Sequence, residues 1–405
     1  MANAVRNQIT DIRGASRLAV DAIAGLTDLV EAMHTNIAER PTRLAGPTVG
    51  GAVNGIASLI YKSIRGTTRA VGGGIDRALG AVAPALRHIE PSPGRESLIA
   101  ALNGVLGDYL AETGNPLAVA MQLRREGKPL ELTREGLATA IQIPSSKLLV
   151  LVHGLCRSDR RWERDGHDHG AELARDLSYT PVYLHYNSGL HISTNGRAFA
   201  QMLEDLVAAW PVPLEEVSIL AHSMGGLVAR SAHHYASAAG HVWPRRLRKL
   251  VFLGTPHHGA PLERLGHRFH LLLEKTPYTA PFALLGKVRS AGITDLRHGN
   301  VLEQDWKRHG RFADRSTDSR RPLPLPKRVQ CYTIAAAIGH ASASRRDQLI
   351  GDGLVPVPSA LGDHRDPRLK LTFPRSHQWT ARGTNHMGLL LPGQVYERIR
   401  GWFDE

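Results

Sequence analysis

Cysteine is scarce in this sequence: 405 residues contain only Cys156 and Cys331. Two cysteines exclude a disulfide-stapled scaffold, and their positions show no spacing typical of a metal site. We therefore expect free thiols in a reducing compartment, which favours a cytoplasmic location. Hydrophobic residues make up 42% of the chain, which is enough apolar material for a sizeable core without disulfides.

Long apolar runs are missing as well. The first residues mix charges and amides, and we expect no secretory signal among them. The longest uncharged stretch, residues 44–61, is interrupted by Pro47, Asn54 and several glycines. It is too polar and too broken to predict a membrane-spanning helix. The sequence therefore predicts a soluble chain whose contact with a membrane, if it makes one, is peripheral.

Acidic residues are outnumbered: 50 Lys and Arg face 37 Asp and Glu, for a net charge of +13. Such a balance can favour contact with nucleic acid or an anionic membrane surface. Basic side chains crowd residues 307–328, but no nucleic-acid-binding motif and no interleaved aromatic run accompanies them. The pattern favours a solvated basic face over specific nucleic-acid binding.

Residues 1–90 differ from the remainder of the chain in their pattern of apolar residues. Apolar residues between 5 and 33 follow a 4-3-4-3 spacing, and a second stripe runs through the Gly/Ala-rich segment 49–64. Both stripes predict amphipathic helices. These helices either cover the rest of the chain, pair in a homo-oligomer, or contact a membrane or lipid surface. Prolines at 84, 91 and 93 predict a linker, so we expect two domains, 1–90 and 91–405.

From about residue 97 the pattern alternates between strands and helices. Residues 147–152 are almost entirely Leu and Val, which predicts a strand buried on both faces. Short apolar runs predict further strands at 182–185, 217–221, 249–253, 329–335 and 369–373. A hairpin is predicted at 118–123 with 129–132, and helices at 98–109, 196–210 and 225–239. This alternation predicts an α/β domain with a mostly parallel central sheet.

A candidate nucleophile lies between a predicted strand and a predicted helix. Ser223 follows the strand that ends at Ala221, and the helix begins at Met224 or Gly225. A sharp strand-to-helix turn holds a serine hydroxyl out of the sheet, near a helix N-terminus that favours developing negative charge. Such a turn needs small neighbours, and Ala221, Gly225 and Gly226 supply them. The alternative is a serine that merely caps the helix.

A serine nucleophile needs a base, an orienting acid and an oxyanion site. Each has a candidate in a loop that follows a predicted strand. His386, in Gly-Thr-Asn-His-Met-Gly, is the candidate base, and Asp352, between two glycines, is the candidate acid. The backbone amides of Leu155 and Met224 are placed to converge on one carbonyl oxygen, with Gly154 allowing a tight turn.

Five ordered segments resemble the α/β-hydrolase superfamily: HGL at 153–155, AHSMGG at 221–226, GTPHHGAP at 254–261, GDGLVP at 351–356 and NHMG at 385–388. They look most like bacterial lipases and esterases, including the branch similar to GPI inositol-deacylase. The resemblance spans roughly residues 98–405 and implies an α/β-hydrolase fold. It implies Ser223 as nucleophile, Asp352 as acid, His386 as base, and the Leu155 and Met224 amides as the oxyanion hole, in the chain order that this superfamily uses.

Other polar residues compete for roles in the site. His153, His222 and His257 are candidates for the substrate cleft, although packing roles or, for His153, shaping of the oxyanion loop are alternatives. Residues 165–169 look ligand-like, yet a polar turn is the favoured interpretation, so we expect no metal and no cofactor. Cys156 has no partnered base and is interpreted as a small buried residue.

Residues 259–326 form a long insertion rich in Leu and Phe. The resemblance implies a helical cap or mobile lid there, and an ordinary helical excursion is the alternative. The predicted function is hydrolysis of a carboxylic ester or lipid with an apolar acyl chain through an acyl-enzyme. The same triad would serve an acyltransferase or thioesterase. From a different class, the chain would be a lipid-surface interaction protein with a secondary or inactive hydrolase domain.

Overall fold

The computed structural model describes Gly14 and residues 93–260, 290–307, 318–339 and 349–405. The chain divides into two compact units, residues 1–95 with 110–118 and residues 96–109 with 119–405. The second unit holds the sheet. The predicted N-terminal helices, their lipid contact or pairing, and most of the predicted lid lie outside the described residues. Those interpretations and the 90/91 boundary therefore stay predictions.

Strands and helices alternate along the described chain, as the apolar pattern predicts. The strands are β1 (Gln122–Arg125), β2 (Lys128–Pro129), β3 (Lys147–Val152), β4 (Thr180–His185), β5 (Glu216–His222), β6 (Leu247–Leu253), β7 (Gln330–Ala337) and β8 (Gln378–Arg382). The helices are α1 (Pro93–Glu112), α2 (Arg134–Ala140), α3 (His169–Leu177), α4 (Ile192–Ala209), α5 (Met224–Ala239), α6 (Trp243–Arg246), α7 (Ala291–His298), α8 (Glu303–Lys307), α9 (Val357–Ala360) and α10 (Gln394–Asp404). Within the described ranges, no helix combines the length and apolarity needed to cross a bilayer.

The eight strands form one sheet in the order β2-β1-β4-β3-β5-β6-β7-β8. From β4 to β8 every neighbouring pair is parallel, whereas the β1–β2 hairpin at one edge pairs antiparallel, both internally and with β4. This arrangement confirms the predicted α/β fold with a mostly parallel sheet. Because the strands are parallel, the loops after β3, β5, β7 and β8 all leave the same edge, where ligand sites of such sheets form.

The central strand β3 is buried on both faces. Leu148, Val150 and Val152 pack on the side that α4 and α5 cover, whereas Leu149 and Leu151 pack on the side of α3 and α10. Successive residues of a strand point to opposite faces, so a strand covered twice must be apolar at nearly every position. The continuous Leu/Val run thus specifies a central strand, and the two cores hold the sheet rigid beneath the loops.

One predicted strand is wrong. Residues 369–373 form no strand; instead Leu369, Leu371 and Phe373 bury their side chains in the loop that leads to β8. The strand that pairs with β7 is the polar segment Gln378–Arg382, of which only Ala381 is buried. An edge strand packs few side chains and is held mainly by its backbone hydrogen bonds, so its sequence carries little apolar signal. The hairpin is also shorter than predicted, and its strands begin and end at different residues.

The turn between β5 and α5 tolerates no side chain at Gly225. A Cβ there would overlap the carbonyl oxygens of Val152 and His153, lying 2.7 Å from the latter. Backbone at the end of a central strand cannot move aside. We expect Gly225→Ala to lower the free energy of unfolding by about 1–3 kcal/mol, the usual cost of overpacking.

Gly401→Ala is the matched control for this change. Gly401 lies in α10, and apart from its chain neighbours and its own helix backbone, no atom of the described residues lies within 4 Å of the position that a Cβ would take there. Alanine at this position should therefore be neutral or stabilise by up to about 1 kcal/mol through helix propensity. Thermal denaturation of both variants beside the wild type measures the difference. Equal melting temperatures for Gly225→Ala and the wild type would contradict the close approach.

Candidate active site

Ser223 occupies the turn between β5 and α5 in a strained backbone conformation. Its φ is 56° and its ψ is −127°, a region that costs a non-glycine residue about 1–3 kcal/mol. The Ser223 amide donates to the Leu253 carbonyl at 2.8 Å, which ties the turn to β6. The side chain is 8% exposed and lines a pocket. The strained turn therefore presents the hydroxyl above the carboxyl end of the sheet, as the sequence predicts.

Asp352 lies in the loop that follows β7 and is completely buried. Gly351 and Gly353 flank it with φ values of 55° and 91°, which glycine adopts without strain. The Oδ1 atom accepts hydrogen bonds from the amides of Leu354 at 2.9 Å and Val355 at 2.8 Å. The carboxylate is thus fixed through one oxygen, and its Oδ2 atom remains for another donor.

That donor is His386. The Nδ1 atom of His386 lies 2.6 Å from Asp352 Oδ2, and the His386 amide donates to the Asp352 carbonyl at 3.1 Å. Asn385 Oδ1 accepts from the amides of Met387 and Gly388, which shapes the turn around the imidazole. A proton on Nδ1, shared with the carboxylate, leaves Nε2 as the acceptor nitrogen. His386 lines the same pocket as Ser223.

The loop after β3 brings Gly154, the residue before Leu155, against Ser223. A Cβ on Gly154 would stand 2.8 Å from the Ser223 Cβ, so glycine is what lets the two segments meet. Met224 is the first residue of α5, where amides have no intrahelical acceptor and the helix dipole is positive. Within the described ranges, no protein acceptor is hydrogen-bonded to the amide of Leu155 or Met224. Both amides are free to bind an anionic oxygen.

His153 supports this loop from behind and does not line the pocket. Its Nδ1 atom lies 2.8 Å from the Gly154 carbonyl, and Tyr186 stacks on its ring at 4.4 Å between centroids. Tyr186 also donates its hydroxyl to the His153 carbonyl at 2.8 Å. Burial lowers the pKa of His153 to about 3, so the ring is neutral. His153 is therefore not a cleft residue. It shapes the loop, which is the alternative that the sequence analysis gave.

His222 lines the pocket, whereas His257 does not. His222 Nε2 lies 3.1 Å from the His386 carbonyl and holds the backbone of the candidate base. Burial, together with the nearby His386, lowers the pKa of His222, so the neutral ring can donate that hydrogen bond. His257 is completely buried against Phe252 and Phe373, because its loop turns back into the core after β6. The interpretation of His257 as a cleft residue is thus not what the structure shows.

His167 and His169 form a pair whose contact the sequence does not predict, and this pair supports the loop that carries His386. His169 Nε2 lies 2.9 Å from the Leu389 carbonyl, and its Nδ1 lies 2.7 Å from His167 Nε2. Asp165 and Gly166, with φ values of 53° and 76°, form the tight turn before them, as the polar-turn interpretation expects. Across the described ranges, no group of three His, Cys, Asp or Glu side chains is arranged to hold a metal ion.

Cys156 also borders the pocket, but it is poorly suited to act as a nucleophile. Burial raises the pKa of the Cys156 thiol to about 12, so the thiol stays protonated near neutral pH. Its backbone has a φ of 58°, and its amide donates to Ser188 Oγ at 3.0 Å. Cys156 therefore fixes the path of the loop that carries the Leu155 amide.

The pocket itself is mostly apolar. Its cavity volume is about 90 Å³, less than the roughly 300–1,000 Å³ of sites that enclose a drug-sized ligand, and the pocket opens to solvent. The apolar lining comes from loops after β3, β6, β7 and β8 and from α7: Leu155, Pro256, Ala260, Leu296, Leu354, Val355 and Met387. One charged side chain joins them, Arg157, which sequence reasoning missed although it stands two residues after Leu155.

The model of the PGAP1-like alpha/beta domain family matches residues 170–322, a segment that contains Ser223 and ends before Asp352. No curated protein matches the chain. Among solved structures the chain is similar to Bacillus licheniformis lipase BlEst2, with 18% identity and a TM-score of 0.41 over 70% of this chain and 97% of the other.

Two further solved structures are similar. Aspergillus fumigatus lipase B shares 12% identity at a TM-score of 0.38, over 70% of this chain and 55% of the lipase. A lipase-esterase related protein from Clostridium acetobutylicum shares 13% identity at a TM-score of 0.32, over 64% of this chain and 94% of the other. Identities and TM-scores this low carry no information about substrate or site.

Proposed function

We propose that this chain is a serine hydrolase of the α/β-hydrolase superfamily that cleaves carboxylic esters through an acyl-enzyme on Ser223. One observation carries the proposal: His386, hydrogen-bonded to the buried Asp352, lines the same pocket as Ser223 in its strained turn. A nucleophile, a base and an orienting acid are the parts that acyl transfer requires.

The reaction follows from these positions. His386 Nε2 takes the Ser223 hydroxyl proton as the serine oxygen attacks the ester carbonyl, and Asp352 stabilises the imidazolium that forms. The Leu155 and Met224 amides donate to the oxyanion, each contributing about 10²–10³-fold in rate. His386 then protonates the leaving alcohol, and the ester bond breaks. Water attacks the acyl-enzyme with the same base, which releases the acid and restores Ser223.

The lining of the pocket supports an apolar acyl group. Leu296, Leu354, Val355 and Met387 lie around Ser223 and offer an acyl chain apolar surface. Burying each methylene of the chain stabilises the complex by about 0.8 kcal/mol. Longer chains should therefore raise kcat/KM until the pocket is filled, which is the pattern of an esterase or lipase.

Hydrolysis of p-nitrophenyl esters from acetate to palmitate by the full chain tests this function. We expect turnover with a chain-length optimum, and a single covalent adduct with a fluorophosphonate probe. p-Nitrophenyl thioesters of the same acyl groups separate ester from thioester cleavage. The absence of turnover and of fluorophosphonate labelling would contradict the proposal and favour the lipid-surface interaction protein.

A further inference from the structure

Arg157 brings a positive charge to the wall of the pocket, next to the candidate base. It lines the pocket with Ser223 and His386, and its Nη2 atom lies 3.0 Å from the thioether sulfur of Met387. A thioether is a weak hydrogen-bond acceptor, whereas a guanidinium offers five N–H donors in a fork that matches carboxylate or phosphate oxygens. Within the described ranges, the donors of Arg157 are therefore poorly matched.

No carboxylate of the described residues lies within 4.0 Å of the Arg157 guanidinium nitrogens. Its charged neighbours are cations. Burial lowers the pKa of Arg157, and the nearby Arg161 and Arg164 lower it further. A guanidinium remains protonated under these conditions, so the chain keeps an uncompensated positive charge beside the pocket at a cost in free energy.

Arg320 and Arg124 are compensated by carboxylates, whereas the buried Arg230 has no carboxylate partner in the described ranges and donates to the Leu323 carbonyl. Arg320 binds the Asp318 carboxylate at 2.6 Å and donates to the carbonyls of His257 and Gly299. Arg124 pairs with Asp159 at 3.2 Å. A carboxylate thus compensates the charge of Arg320 and of Arg124. Arg157 differs from them because it lines the pocket and has no carboxylate within 4.0 Å in the described ranges.

We propose that Arg157 binds an anionic group of the substrate, a carboxylate or a phosphate, so that the preferred esters carry a negative charge close to the scissile bond. The inference rests on the ester hydrolysis proposed above and assigns its substrate class. The apolar wall takes the hydrocarbon part of the acyl group, and the Arg157 fork takes the anion. Apolar and anionic binding in one pocket select an amphiphilic ester over a neutral one.

The kinetic test compares one anionic ester with its neutral counterpart. The mono-p-nitrophenyl ester of glutaric acid carries a free carboxylate, and its methyl ester does not. In Arg157→Gln, the ratio of kcat/KM for the anionic over the neutral ester should fall by about 10- to 100-fold, as expected for losing hydrogen bonds to a charged group. Arg157→Lys, which keeps the charge and loses the fork, should restore part of the ratio.

Arg365→Gln is the matched control, because Arg365 is exposed and does not line the pocket. It should leave the ratio of the wild type unchanged. If kcat/KM falls equally for both esters in Arg157→Gln, the ratio is unchanged and Arg157 only supports Met387 and the His386 loop. That result would overturn the proposal.

A binding experiment separates this inference from the hydrolase function. Calorimetry with octyl phosphate, octanoate and octanol measures affinity without turnover. The wild type should bind one or both anions about 10-fold more tightly than Arg157→Gln does, and salt should weaken the difference. The anion that binds more tightly identifies whether Arg157 prefers a phosphate or a carboxylate. Inorganic phosphate alone shows whether the alkyl chain is needed for binding. Equal affinities in both proteins would refute the anion site even if esters are hydrolysed. If the wild type binds the anions more tightly than Arg157→Gln does but hydrolyses no ester, only the proposed hydrolysis is refuted.

Discussion

Ser223→Ala is expected to lower kcat on p-nitrophenyl esters by about 10⁶-fold, the loss that follows removal of a serine nucleophile that acts with a histidine base. The hydroxyl is the only group removed, and alanine occupies the turn at φ 56° with the same backbone strain. The remaining rate over water comes from the oxyanion amides and from substrate binding. Steady-state kinetics of freshly purified variant and wild type measure the loss.

Ser237→Ala is the control for this experiment. Ser237 lies on helix α5, which follows the turn, but it is exposed and does not line the pocket. It should keep the kcat of the wild type, and both variants should unfold at nearly the wild-type temperature. Fluorophosphonate labelling should disappear in Ser223→Ala alone. A Ser223→Ala protein that retains more than about a tenth of the activity would point to a different nucleophile.

The sequence predicts the central strands well because of the way they are covered. A parallel strand between two helical layers is buried at nearly every position, as β3, β5, β6 and β7 are, and most of their residues are apolar. The edge strand β8 is the exception. Backbone hydrogen bonds to β7 hold it in the sheet rather than burial of its side chains, so its residues can be polar. Residues 369–373 mislead for the opposite reason, because apolar side chains in a loop are buried without forming a strand.

The candidate triad is also visible in the sequence, because the loops that follow parallel strands converge at one edge of the sheet. Asp352 follows a predicted strand, whereas His386 follows β8 and not the strand predicted at 369–373, and the two side chains meet at 2.6 Å. Arg157 and His169 are not visible in this way. Their partners, Met387 and the Leu389 carbonyl, are more than two hundred residues away, and an arginine or histidine in a polar loop is usually solvent-facing.

Asp352→Asn should lower kcat by about 10⁴-fold at neutral pH while the fold persists. Asparagine keeps an Oδ1 acceptor for the amides of Leu354 and Val355, so the loop geometry survives. Its NH₂ group, however, replaces the oxygen that accepts from His386 Nδ1. Nδ1 must then accept, the imidazole proton moves to Nε2, and the base can no longer take the Ser223 proton.

Asp352→Ala separates the catalytic role from the structural one. Alanine also removes the acceptor for two amides, one of them buried, and should lower the free energy of unfolding by about 1–3 kcal/mol beyond Asp352→Asn. Asp363→Asn changes an exposed carboxylate that pairs with Lys370, and it should leave both kcat and stability unchanged. Kinetics and thermal denaturation of the three variants distinguish the roles. An Asp352→Asn protein as active as Asp363→Asn would show that the Asp352 carboxylate does not orient His386 for proton transfer.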